Sequence, residues 1–315
     1  MPPPVVIGLS CERQDDNVAA FISSGSLGHR WATWYMRRVY GPRFDGHISI
    51  SAYTAEELSS ALGLFPDRPI CVCPMGVDTK ALGPERHSVL TRRRLLALLP
   101  AAARVTDASL LLLYVGRISP EKNLALLQEM LERLTGDSES DYRLLIVGSG
   151  PRMQWLAESS ERSIPGGVCM LGQITDRELL ADIYANCDAL IHPNPREPFG
   201  IAPLEAMASG LPVVAPSRGG VLSYANEDNP WLAYPSGECF ADAVRHVFAD
   251  EGARRIKIAH ALGTAEQFGW PRITRLFFQL YDDLFARLGT GHSPLIEPGR
   301  TRQYAAGDIR PPRPN

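Results

Sequence analysis

From residue 109 onward, apolar runs of strand length alternate with stretches of helical period. LLLLYV (110–115), YRLLIV (142–147), VCML (168–171), DALIH (188–192) and PVVAP (212–216) read as buried strands. After the first of them, Leu124, Leu127, Leu131 and Leu134 fall on one face of a helix. Ser119 can cap that helix, Pro120 suits its first turn and Gly136 can stop it. A second helix opens on the capping box Thr175-x-x-Glu178 and continues through Leu179, Leu180, Ile183 and Tyr184. Alternation at this spacing predicts a parallel sheet wound with helices, a Rossmann-like domain over roughly 107–265.

The chain before it carries fewer such units. VVIGLS (5–10), HISIS (47–51) and PICVCP (69–74) predict three strands, with helical segments around 29–40 and 54–62. The segment 91–109 reads as the join between a domain over 1–106 and the one that follows. A last helix after Pro271 presents Ile273, Phe277, Leu280, Leu284 and Leu288 as a stripe ended by Gly289, giving a C-terminal helical segment over 266–289. Residues 290–315 are rich in Pro and Arg with almost no apolar pattern, and are expected to be disordered.

Composition narrows the function classes. The 315 residues fit about two domains, and 45% hydrophobic with 21% charged residues is an ordinary globular balance. A net charge of −3 gives no basic footprint for nucleic acid. The apolar runs are far shorter than the ~20 residues of a membrane span, and MPPPVVIGLS lacks the basic and apolar regions of a signal peptide, so a cytoplasmic protein is expected. Six cysteines show no framework spacing; Cys71 and Cys73 share a strand pattern with no second pair nearby to complete a metal site.

The candidate chemistry lies in the loops that follow the strands. Glu197-Pro198-Phe199-Gly200-Ile201-Ala202-Pro203-Leu204-Glu205 sets two carboxylates across a strand-to-helix junction. Gly200 lets backbone approach a ligand, and free N–H groups at the helix start suit an anionic diphosphate. Taken alone, Glu205 is equally an ordinary acid of a first helical turn. Gly116-Arg117-Ile118-Ser119-Pro120-Glu121-Lys122 puts two cations in one such loop, where they can neutralise a diphosphate. Gly148-Ser149-Gly150, Leu171-Gly172-Gln173 and Gly219-Gly220 are further turns expected at the same rim.

VGRISPEKN, IVGSGP, LGQITDRELL and HPNPREPFGIAPLEAMASGLPVVAPSRGG, in this order over roughly 109–290, resemble the retaining glycosyltransferases of family 4. The resemblance implies an α/β GT-B fold, two Rossmann-like domains facing across a cleft, and a hexose moved from a nucleotide-diphosphate sugar (GDP-mannose or a UDP-sugar) to a hydroxyl of a glycan, lipid or small molecule. It implies that Arg117 and Lys122 bind the donor diphosphate, Glu197 the donor sugar and Glu205 the ribose. Gly116, Leu171, Gly172, Phe199, Gly200 and Ile201 would complete the donor site. It implies no cofactor and no metal, the donor's own phosphate oxygen taking the acceptor proton, and the sequence has no Asp-x-Asp.

The N-terminal domain departs from that pattern. No glycine-rich loop precedes residue 10, and Cys11 stands where the family's catalytic histidine would align. An incomplete first domain is therefore expected, with an open sheet edge and self-association through it. A donor-binding protein with little or no transfer activity is the alternative; an epimerase or phosphorylase relative is a lesser one. Residues 29–38 mix Trp31, Trp34 and Tyr35 with Arg30, Arg37 and Arg38. The favoured reading buries the aromatics and solvates the arginines; the other is a peripheral contact with anionic lipid at the inner membrane face.

Overall fold

The computed structural model describes residues 4–15, 25–62, 68–100, 105–137 and 140–289. It divides into two compact units. One takes its described residues from Met1–Gly76 and Gln267–Asn315, and the other is Val77–Glu266.

In the first unit, β1 (Ile7–Ser10), β2 (Gly46–Ser49) and β3 (Ile70–Val72) form a parallel sheet in the order β1-β2-β3. Helices α1 (Gly25–Tyr35) and α2 (Ala52–Leu62) belong to it. Beyond α1 a π-helical turn carries Met36, which packs with Leu58, Ala61 and Leu62. The aromatic segment follows its favoured reading in part: Tyr35 packs half-buried against the Met36 cluster, and Arg30 and Arg38 are exposed, but the tryptophans are not buried. Ala32 and Met36 are the buried positions, whereas Trp31 and Trp34 are 53% and 54% exposed. An alanine and a methionine fill the space under this helix, so the bulkier indoles are left outside.

The second unit opens with α3 (Val89–Leu96). Its sheet then follows the chain as β4 (Leu110–Val115), α4 (Ala125–Asp137), β5 (Tyr142–Val147), α5 (Met153–Ser163), β6 (Val168–Gly172), α6 (Arg177–Asn186) and β7 (Ala189–Ile191). The chain continues through α7 (Ile201–Ala208), β8 (Val213–Pro216), β9 (Trp231–Ala233), α8 (Gly237–Ala249) and α9 (Glu251–Gln267). The strands are parallel and ordered β6-β5-β4-β7-β8-β9. The winding thus reverses at the β4–β7 pair, which fixes the topological switch point of a doubly wound sheet. Leu112, Tyr114, Leu144 and Ile146 of the central strands pack with Leu127, Met130, Leu131 and Leu134 of α4 and with Phe240 and Val244 of α8. Burial on both faces explains the continuous apolar runs.

Residues 77–106, expected with the first domain, cluster with the second unit. Ionic and polar ties from this segment to α6 and β7 account for it. Arg86 meets Glu178 at 2.6 Å and Asp182 at 2.9 Å, Arg92 meets Asp188 at 2.9 Å, and the Ser88 N–H donates to Asn186 Oδ1 at 2.8 Å. Two helix starts also move. Asp176, not Thr175, caps α6, because its carboxylate reaches the free N–H groups of both Glu178 (2.9 Å) and Leu179 (3.3 Å). The helix expected after Ser119 is split: a 3₁₀ turn covers Pro120–Lys122, Asn123 turns left-handed at φ 55°, and α4 starts at Ala125.

The last helix, α10 (Trp270–Gly289), buries Ile273, Leu276, Leu280 and Leu284, while Phe277 is half-buried. Leu276 takes the inward place expected of Phe277, since a step of seven from Ile273 to Leu280 runs through position 276 as readily as 277. The expected disordered tail, 290–315, lies outside the described residues. No helix of the described residues is long and apolar enough to cross a membrane.

Candidate active site

The loops after β4 and β7 leave the switch point in adjacent positions, and the chain ties them together. Asn123 Nδ2, aimed by the left-handed turn, donates to the Pro193 carbonyl at 3.1 Å. The Tyr114 hydroxyl, at the end of β4, donates to the Arg117 carbonyl at 2.8 Å. From the other side the Gly219-Gly220 turn clamps the Glu197 loop: the Gly220 N–H donates to the Glu197 carbonyl at 2.7 Å. A Cβ at Gly220 would come within 1.9 Å of the Pro198 carbonyl oxygen. The two glycines are thus required by backbone approach.

This frame brings Lys122 and Glu197 into contact across 75 residues of chain. Lys122 Nζ donates to both carboxylate oxygens of Glu197, at 3.1 and 2.8 Å, and Asn194 Nδ2 donates to Oε2 at 3.0 Å. Burial alone would raise the Glu197 pKa; His192, Lys122 and Asn194 outweigh it and hold the carboxyl below its ordinary value. His192 lies at the end of β7 with Nε2 3.8 Å from Glu197 Oε2, and burial pushes its own pKa down to about 4. Arg117 is exposed, and its side chain makes no hydrogen bond or ion pair among the described residues. One loop therefore presents a committed cation and an uncommitted one.

Gly200 caps α7 in the left-handed region at φ 88°, and its carbonyl accepts from the Tyr224 hydroxyl. Phe199 is buried against the Tyr224 ring, centroids 5.2 Å apart, so its backbone rather than its ring faces the rim. Ile201 starts the helix and is 41% exposed. Glu205, one turn in, accepts from the Tyr184 hydroxyl at 2.8 Å. Burial raises the Glu205 pKa against the opposing pull of Tyr184 and Arg177. Gly116 and Gly172 flank the Gly148 turn, whose N–H donates to the Gly172 carbonyl at 2.8 Å. Leu171 and Gly172 are half-buried at the end of β6.

The carboxyl ends of β4, β6 and β7 thus collect the residues singled out in the sequence. The sequence reading gave no role to Asn194, His192, Tyr184 and Asn123. The run His192-Pro193-Asn194 just ahead of Glu197 was the available signal: two polar side chains directly after a buried strand. A cavity of about 360 Å³ lined by Pro84, His87, Leu110, Asp188, Pro212 and Arg254 opens at the amino ends of β4, β7 and β8 and takes no part in this rim. Among the described residues no cluster of three His, Cys, Asp or Glu could hold a metal.

Comparison with known proteins bears on the family and the fold. A mannosyltransferase of Mycobacterium tuberculosis, the GDP-mannose-dependent α-(1-6)-phosphatidylinositol dimannoside mannosyltransferase, is 32% identical over 200 residues. That match covers 63% of this chain and 48% of the relative. A D-inositol 3-phosphate glycosyltransferase of Stackebrandtia nassauensis is 29% identical over 270 residues, 82% of this chain and 58% of the relative. The chain spans about half the length of the curated relatives it matches. Among solved structures, Anabaena HepE in complex with UDP-glucose superposes with a TM-score of 0.71 at 19% identity, over 89% of this chain and 72% of that one. Such a likeness bears on the fold alone, and the fold is that of the GT-B glycosyltransferases. The family model for group 1 glycosyl transferases matches residues 101–264, and the chain belongs to that family.

Proposed function

We propose that the second unit binds a nucleotide-diphosphate sugar at the β4–β7 switch point and that the protein transfers its hexose, with retention, to a hydroxyl acceptor. The observation that carries this reading is the Arg117–Lys122 loop set beside Glu197 and the start of α7. Cations and free helix N–H groups at one rim suit a diphosphate. Arg117 and Lys122 stabilise the charge that grows on the leaving diphosphate, which needs donors placed before reaction rather than recruited during it. Glu197 meets the hexose and Glu205 the ribose hydroxyls, with Tyr184 fixing the Glu205 carboxylate. Gly116, Leu171, Gly172, Phe199, Gly200 and Ile201 contribute backbone and wall. A GDP- or UDP-sugar is the donor class, and the M. tuberculosis relative, named for GDP-mannose, favours the former. The scheme needs no metal, because the two cations do the neutralising.

The anomeric configuration of the product tests the mechanism. Incubated with GDP-mannose or UDP-glucose and an inositol-phosphate or phosphoinositide acceptor, the chain is expected to give an α-linked product, read by NMR coupling; a β-linked product contradicts retention.

We further propose that α1 and the π-helical turn after it meet an anionic membrane. Trp31 and Trp34 stand exposed beside the exposed Arg30 and Arg38, the pairing of apolar and basic groups that suits a lipid interface. The protein is expected to co-sediment with vesicles containing phosphatidylinositol, and Trp31→Ala with Trp34→Ala is expected to reduce the bound fraction several-fold. Equal binding by the double variant removes this contact.

A further inference from the structure

His192 is a buried polar residue that the scheme above does not use. Its side chain is 8% exposed, and Nε2 is buried without a hydrogen-bond partner. A buried nitrogen with no partner is costly and calls for an explanation. Nε2 lies 3.8 Å from Glu197 Oε2, just beyond bonding distance. Both Glu197 oxygens are meanwhile occupied, by Lys122 at 3.1 and 2.8 Å and by Asn194 at 3.0 Å.

Donor binding changes that balance. A diphosphate competes with Glu197 for the Lys122 ammonium. As Lys122 turns to phosphate, the mostly buried Glu197 carboxylate keeps only neutral donors, Asn194 and the hydroxyls of the hexose it meets. A buried carboxylate stripped of its ion pair is strongly disfavoured unless another charge replaces it. The charged groups facing His192 are Glu197 on its own loop and Lys122 on the loop after β4. Strand β8 alongside offers the Val214 carbonyl, which accepts the His192 backbone N–H at 2.9 Å. Tyr114 and Tyr224, also near Glu197, stay neutral phenols because burial raises both. With Lys122 engaged elsewhere, His192 is therefore the side chain placed to meet Glu197 as a cation.

We propose that His192 is a positioning residue that takes over Glu197 when the donor diphosphate draws Lys122 away, accepting one proton from solvent so that its imidazolium N–H donates to the carboxylate. The inference rests on the proposed donor site and adds a consequence to it: donor binding and proton uptake are coupled. The sign follows from linkage. In the free protein burial keeps the ring neutral down to about pH 4. In the donor complex the ring is a cation, so the complex binds more protons, and donor affinity tightens as pH falls. The expected slope is about tenfold per pH unit while uptake is complete, and it levels off toward the free-protein pKa.

The test is calorimetric titration of the full chain with GDP-mannose and UDP-glucose at about pH 6.5, well above the free-protein value of about 4, so that the unliganded ring starts neutral. It is run in MES and in bis-Tris, whose ionisation enthalpies differ. The wild type is expected to take up about one proton per bound donor, seen as a buffer-dependent enthalpy. His192→Gln and His192→Asn, checked for folding by circular dichroism, are expected to bind with a buffer-independent enthalpy. Wild-type binding without proton uptake overturns the proposal and leaves the donor site standing. Uptake unchanged in both variants also overturns it, because Glu197 itself would then be taking the proton. Failure of both donors to bind a folded chain overturns the donor-site reading and this inference with it.

Discussion

Replacing Lys122 with methionine is expected to weaken binding of a nucleotide sugar by at least about a hundredfold, roughly 3 kcal/mol, the scale of losing one preorganised charge donor. Two effects add. The variant loses a cation from the diphosphate loop, and it leaves Glu197 with Asn194 as its remaining hydrogen-bond donor. Because the side chains of Lys122 and Glu197 are only 20% and 15% exposed, water replaces the lost partner poorly. Adding Glu197→Gln should relieve the second effect and not the first. The double variant is therefore expected to recover folding stability while donor affinity stays low. Titration calorimetry and thermal unfolding of the single and double variants separate the two; a Lys122→Met protein that binds donor within threefold of wild type removes Lys122 from the diphosphate site.

The largest effect on folding is expected at Gly148. Its φ of 143° lies where side chains are strained, and a Cβ there would come within 1.9 Å of the Gly116 carbonyl oxygen. Backbone cannot yield as a side chain can, so Gly148→Ala must push the β5 turn off the β4 turn. The expected cost is about 3 kcal/mol or more, the range of substitutions that break a required backbone geometry. Gly136, in α4, is the internal control. Nothing lies within 4 Å of its added Cβ, and alanine there is expected to stabilise by about 0.5–1 kcal/mol through helix propensity. Urea unfolding of the two variants reads both. A Gly148→Ala protein as stable as wild type would mean that the two turns need not touch.

The apolar runs carried most of the second unit, because a parallel strand buried on both faces leaves an unbroken stretch such as Leu110–Val115. Strand β9 escaped notice because Trp231-Leu232-Ala233 is only three residues long and lies at the edge of the sheet. The ties of residues 77–100 to the second unit were not legible for a different reason: Arg86 and Arg92 reach carboxylates some ninety residues away, and no local pattern records such pairs. At the site, the glycines and the charged residues were legible because each type answers a definite need, a tight approach or an anion. Asn123 was not, since a left-handed turn after a proline-led 3₁₀ segment looks in sequence like one continuous helix start. His192 was read only as the end of a buried strand, and Asn194 was given no role. Their meaning comes from Glu197, which the chain folds back toward them.

The account stands on a donor nucleotide held at the carboxyl ends of β4 and β7. Calorimetric titration of the full chain with GDP, UDP and their hexose conjugates, beside Arg117→Ala and Glu205→Ala, tests it most directly. The account predicts that one nucleotide binds the wild type and that each substitution weakens it, Arg117→Ala through the diphosphate and Glu205→Ala through the ribose. Binding equally tight in both variants, or a folded chain that takes up none of these nucleotides, would contradict it.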